Sequence, residues 1–293
     1  METKAIFCGN RRLTRVDQLG GILCYDEKTV DYTNEVVIIM GGFARIATDE
    51  KLLLAIAEKA SKPCFIFDWH GIGMSTGNFG DVTVERLATD LKRVVGMLFA
   101  EGFSKFHFVG HSLGACVIAL FTKKYANIFD IGKKILIAPA LDQSFLLRYW
   151  FAKENNIKLS IPVWNEGYEQ HHGLFNGTRV GRWHDFSRCW DGETEFQKYI
   201  HKKKTIKGIN FMPVYWEMEN PMNYLYYLTG YDGMTSTVSD ENALFIFGDD
   251  DKAIPIESII FDATFKTILY ADHYFAGEED NVAKMVSVFL QRK

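Results

Sequence analysis

Phe106-His107-Phe108-Val109-Gly110-His111-Ser112-Leu113-Gly114 is the stretch on which the reading of this chain turns. The apolar run Phe106 to Val109 has the length and composition of a short buried strand, and Ala115 to Tyr125 reads as a helix. Between them stands Gly-x-Ser-x-Gly. A strand that passes directly into a helix leaves no room for side chains at the flanks of the turn. Gly110 and Gly114 meet that need, and the Ser112 hydroxyl is left standing at the top of a sheet. The five-residue pattern is weak by itself; the strand before it and the helix after it give it weight.

Working outward, short apolar runs alternate with amphipathic helical stretches, which predicts a mostly parallel sheet covered by helices on both faces. Val36 to Met40 is a β-branched run stopped by Gly41-Gly42. Ile46 to Ala60 reads as a helix and Cys64 to Asp68 as the next strand. From Val84 the apolar residues fall at 84, 87, 88, 91, 94, 95, 98 and 99, one face of a helix at the 3.6-residue period. Ile135 to Ala138 is a further strand, ended by Pro139. The rhythm then stops until Ala243 to Phe247. After it come a helix near Ile256 to Phe261, a strand at Thr267 to Tyr270 and a terminal helix from Asn281. The expected organisation is a core of residues 1–141 and 243–293, interrupted at 142–242 by a largely helical lid that overhangs the serine.

At 293 residues the chain can bury a substantial core. Its 47 % hydrophobic and 24 % charged residues are those of an ordinary globular protein, and a net charge of -4 gives no electrostatic case for nucleic acid. No apolar stretch approaches the ~18–20 residues of a membrane span. The five cysteines, Cys8, Cys24, Cys64, Cys116 and Cys189, show neither a disulfide framework nor metal-ligand spacing. Met1 to Ala5 does not begin a secretory signal, so a reduced, cytoplasmic setting is expected.

A serine hydroxyl needs a base, and the base needs an orienting acid. For this elbow the expected chain order is serine, acid, histidine. Gly248-Asp249-Asp250-Asp251-Lys252-Ala253-Ile254-Pro255 follows one late strand, and Ala271-Asp272-His273-Tyr274-Phe275 follows the last. With these fragments the chain resembles the α/β-hydrolase superfamily. Its Gly-x-x-Asp-x-x-x-Pro acid loop matches Asp251, and its histidine loop matches His273. Asp250, Asp249 and, more distantly, Asp142 are the other candidates for the acid. Asp68-Trp69-His70-Gly71-Ile72-Gly73-Met74-Ser75 resembles the superfamily's Asp-x-x-Gly-x-Gly-x-Ser turn; it lacks the third glycine of a dinucleotide loop. Gly41-Gly42-Phe43 is similar to the family's His-Gly-aromatic loop, with Gly41 in place of the histidine.

The resemblance implies a serine hydrolase acting on a carboxylic ester or thioester. Ser112 would attack, His273 would take the proton, Asp251 would orient the imidazole, and the Phe43 and Leu113 N–H groups would hold the oxyanion. No metal or organic cofactor is implied. His111 is expected in the core beneath the elbow. Arg45 either fixes its loop or faces an acidic group of the substrate. In the insertion, Trp150, Trp164, Trp183, Trp190 and Trp216 suggest an apolar acyl pocket or the lid's own small core. His201-Lys202-Lys203-Lys204 with Lys207 could dock acyl-coenzyme A or an acyl-carrier protein, although such runs are commonly solvated faces. Gly42-Phe43-Ala44-Arg45 is also similar to a loop of the acyl-carrier-protein thioesterases of bacterial bioluminescence, whose elbow, unlike this one, lacks the flanking glycines. Three rivals stand beside this reading. They are a thioesterase or acyltransferase, a proline-type aminopeptidase using Glu217 and Glu219 to hold an amine, and a non-catalytic binding module. Ser112 argues against dehalogenases and epoxide hydrolases, which carry Asp at the elbow.

Overall fold

A computed structural model describes residues 2–8, 18–25, 34–77, 84–141, 241–254 and 265–292. Eight strands form one sheet: β1 (Glu2–Cys8), β2 (Leu19–Tyr25), β3 (Glu35–Met40), β4 (Cys64–Phe67), β5 (Lys105–His111), β6 (Asp130–Ile137), β7 (Ala243–Gly248) and β8 (Phe265–Ile268). Their order is β1-β2-β4-β3-β5-β6-β7-β8. β2 runs antiparallel to both β1 and β4, and the other pairings are parallel. Four α-helices accompany them in the described residues: α1 (Lys51–Lys59), α2 (Val84–Ala100), α3 (Leu113–Tyr125) and α4 (Glu279–Gln291).

Strand alternation divides the core in two. Val36, Ile38 and Met40 of β3 join Phe106 and Phe108 of β5 against α2 and α3. Val37 and Ile39 face the other way and meet Val109, Ile135 and Ile137, with Leu53 and Ile56 of α1 and Val282 and Val286 of α4. A sheet buried on both faces explains why its central strands read as continuous apolar runs. At the end of the sheet away from Ser112, Glu35 ties β3 to β5. Its carboxylate meets Lys62 Nζ at 2.5 Å and His107 Nε2 at 3.1 Å. Burial would push the Glu35 carboxyl up, but Lys62 and His107 outweigh it and hold it at about 2.

Several boundaries differ from the sequence expectation. The helix expected over 46–60 begins only at Lys51, because Ala47–Asp49 forms a 3₁₀ turn in which Thr48 serves the Asp68 carboxylate. β6 starts at Asp130, earlier than Ile135, with Lys134 buried inside it. β8 ends at Ile268; Leu269 and Tyr270 are exposed in a turn where Tyr270 has φ 59°. Phe99, placed by period on the apolar face of α2, lies 60 % exposed at the helix end, beyond the core. The same helix carries Asp90 fully buried, paired with Arg93 at 3.0 Å and Arg86 at 3.4 Å. β1 and β2 had no sequence expectation. The lid, the five tryptophans from Trp150 to Trp216, the basic run and the 256–261 helix lie outside the described residues. Among the described residues no helix is long and apolar enough to cross a membrane.

Candidate active site

Ser112 connects β5 to α3 with φ 53° and ψ -112°, a conformation that L-residues rarely adopt. Its neighbours explain both glycines. A Cβ on Gly110 would lie 2.5 Å from the Gly114 carbonyl carbon, and one on Gly114 would lie 2.8 Å from the Met40 oxygen. The turn is anchored from below, where the Ser112 N–H donates to the Ile137 oxygen at 2.8 Å. Leu113 opens α3, so helix geometry gives its N–H no acceptor within the helix. That N–H sits at the positive end of the helix dipole.

The loop after β3 lies against the serine. A Cβ on Gly42 would come within 3.2 Å of Ser112 Cβ, so glycine keeps this approach uncrowded. Trp69 Nε1 donates to the Gly41 oxygen at 3.0 Å and fixes the loop from the β4 side. Phe43 follows, half-buried against the α2–α3 side of the core. Arg45 places its guanidinium 4.6 Å over the ring of Tyr274, which ties this loop to the histidine loop. Asp68 stabilises the surroundings. It is fully buried and accepts from Thr48 N–H (3.1 Å), Thr48 Oγ1 (2.9 Å) and Met74 N–H (2.9 Å).

Of the three adjacent aspartates, one meets the histidine. Asp251 is buried, and its Oδ2 lies 2.8 Å from His273 Nδ1. Its Oδ1 accepts from the Ala253 and Ile254 N–H groups, both at 2.8 Å. Asp250 is exposed and pairs with Lys252 at 3.4 Å, while Asp249 accepts the Tyr270 N–H. Asp142 lies outside the described residues. The acid and histidine loops touch through their main chains, where Asp250 N–H donates to the Ala271 oxygen at 3.1 Å. Because a carboxylate only accepts, Nδ1 of His273 carries the proton and Nε2 is the basic nitrogen. His111 packs under this loop with ring centroids 4.9 Å from those of His273. The core position expected for His111 is what the structure has, since the side chain is fully buried. Glu50 was not singled out by sequence, yet it is buried beside His111. Its only sequence signal is a carboxylate just before an apolar helix, which ordinarily reads as a helix cap.

A sequence model of the family described as serine aminopeptidase S33 matches residues 33–204, more than half of the chain. The chain belongs to this family of α/β-hydrolases. No curated protein matches it in sequence. Among solved structures, this S33 member is similar to Est1E from Butyrivibrio proteoclasticus bound to ferulic acid. The TM-score is 0.60 and the identity 17 %, over 97 % of each chain. It is also similar to an α/β serine hydrolase homologue from Coxiella burnetii, with TM-score 0.55 and 14 % identity over 97 % of this chain and 96 % of that one. An α/β serine hydrolase without a lid, from Xanthomonas campestris, matches with TM-score 0.54 and 13 % identity over 99 % and 94 %. At these identities the structural likeness speaks for the fold, and the S33 chain is an α/β serine hydrolase by family.

Proposed function

We propose that this α/β-hydrolase cleaves a carboxylic ester or thioester through an acyl-enzyme on Ser112. The observation that carries the reading is the part-buried Asp251–His273 contact of 2.8 Å, in a chain whose elbow holds Ser112 in a strained turn. In the reaction Ser112 Oγ attacks the acyl carbon while His273 Nε2 takes its proton. The oxygen that becomes negative is received by the N–H groups of Leu113 and Phe43; losing one such donor typically costs on the order of 3 kcal/mol of barrier. The intermediate collapses, the acyl–oxygen or acyl–sulfur bond breaks, and His273 returns the proton to the leaving group. Water then attacks the acyl-enzyme with His273 again as base, releasing the acid and restoring Ser112. Asp251 keeps the imidazole in the tautomer that both half-reactions need.

The division of labour in the chain belongs to the same proposal: residues 1–141 and 243–293 form the hydrolase core, and residues 142–242 cover the site as a lid. The tryptophans Trp150, Trp164, Trp183, Trp190 and Trp216 would supply an apolar acyl pocket, and in the thioesterase or acyltransferase alternative the basic run at 201–207 would meet a phosphate-bearing carrier. The family description favours a second reading, hydrolysis of an aminoacyl amide. A substrate panel separates them. Nitrophenyl esters of increasing acyl length, acyl-coenzyme A thioesters and an aminoacyl naphthylamide are tested with the wild type and Ser112→Ala. The proposal expects ester or thioester turnover that Ser112→Ala abolishes. Turnover confined to the naphthylamide would replace it with the aminopeptidase reading.

A further inference from the structure

Beneath the candidate base lies a second acid and imidazole that the reaction as written does not use. Glu50 immediately precedes α1, where an acidic side chain ordinarily caps the helix, yet its carboxylate bonds no N–H of the first turn. It is buried instead, with Oε1 3.0 Å from His111 Nδ1. The contact lies off the line of an ideal hydrogen bond. Glu50 Oε1, Glu50 Oε2 and His111 Nδ1 are all buried without an ideally aligned hydrogen-bond partner among the described residues. A buried carboxylate is stabilised by a nearby cation, and the imidazole of His111 is in contact with it. The other ring nitrogen, Nε2, lies 2.8 Å from the main-chain oxygen of His273. A carbonyl oxygen only accepts, so Nε2 must carry a proton as well. Both nitrogens of His111 therefore face acceptors.

We propose that Glu50 and His111 form a buried ion pair that positions the candidate base, the His111 imidazolium bridging the Glu50 carboxylate to the His273 main chain. The bridge joins three elements: the residue that opens α1, the elbow strand β5 and the histidine loop. It fixes the height of that loop over Ser112 independently of Asp251, which orients the His273 ring. The surrounding charges agree with the assignment. Burial pushes the Glu50 carboxyl up, but His111, Arg45 and His273 outweigh it and hold it below its ordinary value. Arg45, whose guanidinium lies over Tyr274, is one of these charges. A purely apolar filling of this space would avoid the desolvation of two charges, so the pair is suited to fixing a geometry rather than to adding stability.

The inference rests on Ser112 and His273 acting as nucleophile and base, and its test keeps the two apart. The rate of Ser112 labelling by a fluorophosphonate is measured with the wild type, His111→Phe, His111→Gln and Glu50→Gln, beside nitrogen-15 NMR of the histidine side chains. His111→Phe keeps a ring beneath the loop and removes both N–H groups. It should label roughly 10- to 100-fold more slowly, the scale of an ångström-level misplacement. His111→Gln retains a donor for the His273 oxygen and should recover most of the rate. In the wild type His111 should show protons on both ring nitrogens. Glu50→Gln should lose the Nδ1 proton, because the amide then donates to Nδ1, and this holds even if His111→Phe fails to fold. Wild-type labelling speed in His111→Phe, or a single ring proton on His111 in the wild type, would overturn the pair and leave the nucleophile standing. Absence of label on wild-type Ser112 would overturn the hydrolase reading, and the NMR result would still decide the pair.

Discussion

Asp251→Asn should lower turnover by roughly 10⁴-fold while leaving the fold intact, the scale seen when a serine hydrolase histidine is held in the wrong tautomer. The reason lies in how Asp251 is bound. Its Oδ1 is held by the Ala253 and Ile254 N–H groups, both at 2.8 Å, and its Oδ2 faces His273 Nδ1. An asparagine there keeps its oxygen on the two backbone donors, because its amino group cannot accept from them. The amino group is thereby turned toward His273, and it donates to Nδ1 where the carboxylate accepted. His273 must then carry its proton on Nε2, the nitrogen that takes the Ser112 proton in the proposed reaction. Steady-state ester hydrolysis, with a thermal melt as control, checks this. Equal losses in Asp250→Asn or Asp249→Asn would contradict the assignment, since those carboxylates bind Lys252 and the Tyr270 N–H.

Gly248→Ala should also be damaging, on a smaller scale, without touching any chemical group. A Cβ at this position would stand 2.2 Å from the Ala271 oxygen and 3.0 Å from the Asp272 oxygen. Those atoms are main chain and cannot swing aside, so the acid loop and the histidine loop must part. A shift of about 1 Å between catalytic groups costs on the order of 100-fold in rate, and overpacking of this kind costs about 1–3 kcal/mol of stability or more. Ester turnover and the thermal midpoint of Gly248→Ala should both fall. Gly96→Ala is the matched control: it sits in α2 with nothing within 4 Å of the new methyl, and should melt no lower than the wild type.

The parts of this fold that announce themselves in the sequence are those buried on both faces. Val36 to Met40 and Phe106 to Val109 show no exposed positions, so their burial is written as apolar runs, the second interrupted only by His107. β1 and β2 carry no such mark. β1 is an edge strand with mostly exposed residues, and β2 carries Gly20 and Gly21 directly after its first residue, which read as a loop. Both glycines are there for close approach, since a Cβ on either would fall 2.4 Å from a main-chain oxygen, of Met74 or of Ile66. The tight turn around Ser112 was legible, and so was a late acid loop followed by the histidine loop that it meets. The choice among Asp249, Asp250 and Asp251 depended on which carboxylate the loop folds inward, and spacing carries that only through the resemblance. Glu50 was illegible for a different reason. Its role comes from the 3₁₀ turn that displaces the start of α1, and no periodicity reports such a turn.

Fluorophosphonate labelling followed by mass-spectrometric mapping tests the central claim most directly, because it asks which atom is nucleophilic without prior choice of substrate. One phosphonylated residue, Ser112, is expected in the wild type, with no label in Ser112→Ala and slow labelling in Asp251→Asn. Label on another residue, together with undiminished ester turnover in Ser112→Ala, would contradict the account.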